Sequence, residues 1–223
     1  YMTNPSIQNR SVSQLFASIT LQEWITTAVL STALGVAYWA WTLVYDATKP
    51  MLEPFGLQYI TYGLWILASV FLSDLIRKPG IALFASIIAA LVEGMITQWG
   101  VGVVWYGIVQ GLGAEMIFAL FLYRNWSIGV LALAASVAAV FSYTYDYFKG
   151  NLGDVSLTIN LIQVSLFIVS AIVLAAFLSR YLSNRLLKTG LLDTFLIAKC
   201  PSRCNLLHSN TPAAMRVYHL LSR

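Results

Sequence analysis

The sequence predicts an all-α membrane protein, a bundle of six transmembrane helices with both termini in the cytoplasm. Three observations predict it. Of the 223 residues, 59% are hydrophobic and only 10% charged, with a mean hydropathy of +0.75, a balance outside the range of soluble domains. The apolar residues form continuous runs of about 20, the length a helix needs to cross ~30 Å of hydrocarbon, and lack the period-two alternation of barrel strands. Lysine and arginine gather at one side of those runs.

The runs cover residues 23–46, 57–75, 80–98, 103–123, 126–147 and 155–182. The first is too long and too far into the chain for a cleaved signal. Lys49-Pro50 and Glu53-Pro54 are expected to end it, because proline lacks an N–H and clashes with the preceding turn. Pro79-Gly80 separates the second run from the third, Trp99-Gly100-Val101-Gly102 turns the chain between the third and fourth, and Gly150 to Asp154 parts the last two. Asp154 is placed to cap the sixth helix. The chain thus reads as a short cytoplasmic segment (1–20), one membrane domain (21–188) and a basic cytoplasmic tail (189–223).

Orientation follows from the basic residues. With the N-terminus inside, Arg10, Arg77, Lys78, Arg124, Arg180, Arg185, Lys188 and the tail's cations are cytoplasmic, leaving only Lys49 and Lys149 outside. The net charge of +4 is therefore a topology signal and no nucleic-acid footprint, since the cations sit at bilayer borders without a shared face.

Two carboxylates fall inside apolar runs, Glu93 in the third and Glu115 in the fourth. An ionisable group at membrane depth marks a functional site by default, because it must face the bundle and find a partner, water or a proton. Gly111 and Gly113 beside Glu115 permit close approach of a neighbouring backbone. Polar and aromatic residues gather at the outer ends of the helices: Tyr38, Trp39, Trp41, Tyr45 and Asp46; Tyr59, Tyr62 and Trp65; Gln98, Trp99, Trp105 and Tyr106; Tyr143, Tyr145, Asp146 and Tyr147; Asn160 and Gln163. The outer half reads as a cavity open to one side, although each aromatic taken singly also fits an interfacial belt. Gln110 and Asn160 serve equally well as hydrogen-bond links between helices.

No chemical engine is visible. The chain has no phosphate-binding Gly-rich Lys-Ser/Thr loop, no His-Glu-x-x-His pair, no Gly-x-Ser-x-Gly elbow and no Asp-rich diphosphate site, and both histidines lie in the tail. Hydrolysis and direct use of ATP are thereby excluded from the expected activities. Cys200, Cys204 and His208 follow at four-residue steps, but Pro201 interrupts that face and zinc sites use tighter cysteine pairs with a fourth ligand. No metal site is expected, and the tail reads as an extension with reduced cysteines.

The central segment carries a more specific pattern: Arg77-Lys78-Pro79-Gly80, Glu93, the Gln98-Trp99-Gly100 turn, Tyr106-Gly107, and Gln110-Gly111-Leu112-Gly113-Ala114-Glu115. This segment, 74–126, resembles the YkoE-type substrate-binding (S) subunits of energy-coupling-factor (ECF) transporters, and the resemblance extends over about 21–187. It implies a bacterial plasma-membrane subunit for uptake of thiamine or its hydroxymethylpyrimidine precursor. It further implies a transmembrane coupling (T) subunit and cytoplasmic ATPases as partners, with ATP used by them and no cofactor in this chain. Thiamine carries a cationic thiazolium and a flat aminopyrimidine, for which aromatic faces and carboxylates are suitable partners. Glu93, Glu115, Trp99, Trp105, Tyr38 and Tyr106 provide such a set, joined by Gln98, Gln110, Trp41 and Asn160. Ala28, Ser31, Thr32 and Gly35 on the first helix are small enough to slide against the coupling subunit, or to pack internally. Two other classes stay open: an intramembrane enzyme acting on a lipid or isoprenoid with Glu93 or Glu115 as acid or base, and a non-catalytic assembly subunit.

Overall fold

The computed structural model describes residues 19–150 and 155–188, and among these all regular structure is helical. The chain divides into two compact units, Tyr1–Ser183 and Asn184–Arg223. All packing contacts described below fall within the first, whereas the Cys200, Cys204 and His208 constellation and the expected cap Asp154 lie outside the described residues.

Helix α1 (Leu21–Leu52) has 32 residues, about 48 Å at 1.5 Å per residue. A capping box starts it: Thr20 Oγ1 accepts the Glu23 N–H at 3.3 Å, and Glu23 Oε2 accepts the Thr20 N–H at 2.9 Å. The expected break at Lys49-Pro50 does not occur, and α1 runs through Pro50. Proline this close to a helix end frees only the carbonyl of exposed Asp46. The chain turns instead at the 3₁₀ segment Glu53–Phe55 and at Gly56, whose φ is +70°.

The second run is not one helix, as the sequence suggested, but 3₁₀ turns at Gln58–Ile60 and Tyr62–Ile66 leading into a short α2 (Leu67–Ile76). The stretch QYITYGLW is rich in weak helix formers, and its backbone groups are satisfied from neighbouring helices. Trp41 Nε1 donates to the Thr61 carbonyl at 2.9 Å, and the Ala68 N–H donates to the Tyr38 hydroxyl at 2.7 Å. Ser170 Oγ accepts the Gly63 N–H at 3.1 Å while donating to the Ile60 carbonyl at 2.6 Å. In a hydrocarbon surround these bonds are what makes broken backbone tolerable.

Four helices remain: α3 (Ile81–Ile96), α4 (Val104–Leu120, preceded by the 3₁₀ turn Gly100–Val103), α5 (Ile128–Lys149) and α6 (Leu157–Ala171). The last passes through a π-helical stretch, Ile172–Phe177, into α7 (Leu178–Lys188). Among the described residues four helical stretches are long and apolar enough to cross a membrane: Leu21–Phe55, Gly100–Leu120, Ile128–Lys149 and Leu157–Leu186. Tyr62–Ile76 and Ile81–Ile96 are apolar but shorter.

Helix α3 is the centrepiece, packed against α1, α2 and α4, while α5 bridges α4 and α6. The close approach that Gly111 and Gly113 permit is used on two faces of α4, with Gly111 against Leu83 of α3 and Gly113 against Ala138 of α5. Alanines 134, 135, 138 and 139, all fully buried, let α5 approach Phe118 and Phe167 in the core. The end of the bundle formed by the α2–α3 and α4–α5 turns is clamped by buried ion pairs. Lys78 Nζ lies 2.5 Å from Glu23 Oε2, and Asp74 Oδ1 lies 3.2 Å from Arg180 and 3.5 Å from Arg77. Breaking such a buried pair strands a charge, which is costly even where forming it gains little.

Gly63 identifies the tightest dependence on the broken segment, because a Cβ there would stand 2.3 Å from the Ser170 carbonyl carbon. Gly63→Ala is expected to destabilise the bundle by about 1–3 kcal/mol, the usual cost of overpacking. Gly129→Ala, where the nearest atom to the added carbon is 3.9 Å away, serves as the neutral control in thermal unfolding in detergent.

Candidate functional site

A cavity of about 350 Å³ opens at the other end of the bundle, beside the α3–α4 turn. Each surrounding helix contributes a stripe at helical spacing: Tyr38, Tyr45 and Lys49 from α1, Ser86, Ala90 and Glu93 from α3, Tyr106 and Gln110 from α4, and Ser142, Asp146 and Lys149 from α5. Tyr62 and Trp65 enter from the 3₁₀ segment, and Trp99 with Gly102 and Val103 from the turn. The floor is closed by Gln110 Nε2 donating to Ser142 Oγ at 3.2 Å. Asp46, Trp99, Gly102 and Lys149 are exposed and form the mouth.

Glu93 is 1% exposed, yet it lines this cavity. Trp65 Nε1 donates to its Oε1 at 2.6 Å and Thr42 Oγ1 to the same oxygen at 3.2 Å. Both hydrogen bonds from described residues thus converge on one oxygen. Around Glu93 the rings of Tyr45, Tyr62, Trp65 and Trp99 meet edge-on or tilted, with centroids 5.5–5.9 Å apart, a geometry that offers ring faces and edges to a flat guest.

A second carboxylate, Asp146, stands on the α5 wall. The Tyr106 hydroxyl donates to its Oδ1 at 2.5 Å and the Tyr59 hydroxyl to its Oδ2 at 3.5 Å. Lys149 lies over the Tyr106 ring at 4.9 Å. The cavity therefore has two poles, each a carboxylate held by aromatic donors.

Of the residues expected at a binding site, the structure brings Glu93, Trp99, Tyr38, Tyr106 and Gln110 to the cavity wall. The others stand elsewhere. Glu115 faces the opposite end, where it accepts the N–H groups of Gly80 at 2.5 Å and Ala82 at 3.0 Å and the Tyr123 hydroxyl at 2.6 Å. It caps the N-terminus of α3, a use of negative charge that the helix dipole favours. Trp105 is 59% exposed on the outer face of α4. Trp41 supports the broken segment, and Gln98 ties the α3–α4 turn to α1 through Asp46 at 2.9 Å. Asn160 accepts from the Tyr143 hydroxyl at 2.6 Å, linking α5 to α6. On α1, Ser31 and Gly35 are buried, Gly35 being pressed against Ala89 and Val92, whereas Ala28 is half-buried and Thr32 exposed. Ser31 and Gly35 are thus internal packing residues and not part of a free surface.

Tyr45, Tyr62, Trp65 and Asp146, which the sequence placed in the outer cavity but not in the binding set, line the cavity together with Ser142 and the two lysines, which the sequence did not mark as site residues. A signal for some of them was present: Tyr38, Thr42, Tyr45 and Lys49 share one face of α1, and Ser142, Asp146 and Lys149 share one face of α5.

Three comparisons bear on this architecture. Residues 22–141 match the family described as "ABC-type cobalt transport system, permease component". A Bacillus subtilis (strain 168) protein named "Putative HMP/thiamine permease protein YkoE" is 35% identical over 180 residues, covering 80% of this chain and 90% of that protein. A solved structure described as "Crystal structure of an S-component of ECF transporter" superposes with a TM-score of 0.80 at 33% identity, covering 86% of this chain and 98% of the other.

The separation of the two glutamates generates a test. Glu115→Ala is expected to cost about 1.5–3 kcal/mol of stability, the range for charge-assisted hydrogen bonds. Ligand affinity should stay within about twofold, the scatter usual for a site without shared contacts. Unfolding and calorimetric titration in the same detergent read the two quantities.

Proposed function

We propose, from the premise that this chain belongs to the family of S components of energy-coupling-factor transporters, that it captures thiamine or its hydroxymethylpyrimidine precursor in the aromatic cavity. It is a multi-pass membrane transport subunit and not an enzyme. Membership in the family brings a coupling T subunit and ATPase subunits as partners. In the proposed arrangement the chain crosses the membrane six times with both ends cytoplasmic, the two shorter apolar helices completing the bundle, and the cavity mouth faces outward. Residues 1–20 and 189–223 then flank a membrane domain of 21–188, and the chain itself needs no cofactor.

The observation that carries the reading is Glu93, a carboxylate buried among membrane helices with its hydrogen-bond donors on one oxygen and an aromatic cluster around it. An aminopyrimidine supplies N–H donors for the free oxygen and a flat ring for Trp65, Trp99 and Tyr45, while a thiazolium supplies a cation for the Asp146 pole. A cavity of this volume lies within the range of small-molecule sites. The B. subtilis relative is named for the same two compounds. Cobalt, the cargo in the family description, asks for a different wall: among the described residues no group of three His, Cys, Asp or Glu could hold a metal ion.

Glu93→Gln keeps the shape but removes the charge that receives the ligand's amine. It is expected to weaken thiamine binding by about 10- to 100-fold, the loss typical of a charged hydrogen bond, with the unfolding temperature unchanged or raised. Calorimetry on detergent-purified protein measures this, and wild-type affinity in the variant would remove Glu93 from the site. Native mass spectrometry of the wild-type chain identifies any co-purified ligand by mass.

A further inference from the structure

On the α5 side of the cavity mouth a lysine of the chain itself occupies a setting suited to an organic cation. The Lys149 ammonium sits 4.9 Å above the Tyr106 ring and 5.7 Å from that of Tyr145. The two rings meet at 88° with centroids 4.8 Å apart, so one cation touches both. Asp146 lies one turn back on the same helix face, its Oδ1 held by the Tyr106 hydroxyl at 2.5 Å. Aromatic faces beside an oriented carboxylate are the environment that recognises an organic cation.

We propose that Tyr106, Tyr145 and Asp146 form a cation subsite which the chain's own Lys149 ammonium fills until a ligand cation displaces it. Lys149 is thereby a specificity-determining residue. A cationic ligand must evict an ammonium to use the subsite, whereas a neutral ligand held at the Glu93 pole leaves it in place. The built-in cation narrows the gap between the affinities for a charged and an uncharged ligand, and so widens the range of guests.

The alternative role for a lysine at a cavity mouth is to anchor an anion such as a phosphate. The surroundings disfavour it. The mouth carries Asp46 and Asp146 beside Lys49 and Lys149, and Lys49 is 3.9 Å from Glu53. An anion brought to Lys149 would meet the Asp146 carboxylate one turn away, and like charges at that spacing repel.

The inference rests on the reading of this cavity as the vitamin site, and the experiment separates the two. Wild-type, K149Q and K149R forms of the full chain are titrated calorimetrically in detergent with thiamine, with neutral hydroxymethylpyrimidine and with N-methylpyridinium, a cation lacking the pyrimidine half. K149Q is expected to bind thiamine and N-methylpyridinium about three- to tenfold more tightly, the size of one partly exposed cation–π contact, and hydroxymethylpyrimidine within about twofold. K149R, which keeps a cation over the rings, should resemble wild type. Weaker thiamine binding by K149Q, an equal shift for all three ligands, or no shift overturns the proposal. Absence of binding of both vitamins to wild type refutes the vitamin reading instead. The contrast between K149Q and wild type for N-methylpyridinium then still decides the subsite, and no binding of that cation to K149Q counts against it.

Discussion

A backbone that breaks its helix inside a membrane must have its N–H and C=O groups satisfied by the protein, since lipid offers no partner. The rest of this structure depends on how that requirement is met between Gln58 and Ala68. Trp41, Tyr38 and Ser170 reach in from α1 and α6 to take up four backbone groups. Because the segment is wound as 3₁₀ turns and not as a straight helix, Tyr62 and Trp65 are delivered to the cavity wall. The Trp65 indole can then bond Glu93 across from α3. The binding wall is in this sense a by-product of the repair.

The two membrane-depth glutamates show how position along one helix pair separates two uses of the same chemistry. Glu115 spends its oxygens on the first turn of α3 and on Tyr123, so it fixes where α3 begins. Glu93, one helix away, fixes nothing on both oxygens: its partners Thr42 and Trp65 occupy Oε1 alone. Glu115 accepts donors on both oxygens and ties elements together, whereas Glu93 accepts its two donors on one oxygen and lines a cavity.

Much of this was legible in the sequence, and the limits have physical causes. The apolar runs and their Pro-Gly breaks located the helices, because backbone satisfaction in hydrocarbon leaves little other choice. Pro50 misled because proline stops a helix where a lost hydrogen bond cannot be replaced, and in the final turn of α1 the freed carbonyl belongs to exposed Asp46. The broken second segment was illegible, since its stability resides in Ser170 more than a hundred residues away. Trp99 and Trp105 flank the same turn, yet Trp99 lines the cavity from the turn, whereas the rotation of α4 about its axis points Trp105 outward. Reading α1 as the stripe Tyr38, Tyr45 and Lys49 adds Lys49, which reading by depth alone does not mark.

The two ends of the bundle are built on opposite principles, and the contrast bears on how such a subunit works. At the closed end, Glu23 with Lys78, and Asp74 with Arg77 and Arg180, tie α1, the α2–α3 turn and α7 through ionic contacts, and Arg180 also donates to the Trp126 carbonyl. Asp74 is the shared counter-ion of two guanidiniums, so its removal would cost both contacts at once. At the cavity mouth Trp99 meets Tyr45 and Trp65 ring against ring, and its turn is tied to α1 by the exposed Gln98 to Asp46 bond, while deeper in the cavity Glu93 and Asp146 accept hydrogen bonds from Trp65 and Tyr106. Each such ring contact is worth about 0.5–1.5 kcal/mol beyond its buried area. A base tied by ions and a mouth lined by rings thus stand at opposite ends of the helices that hold Glu93.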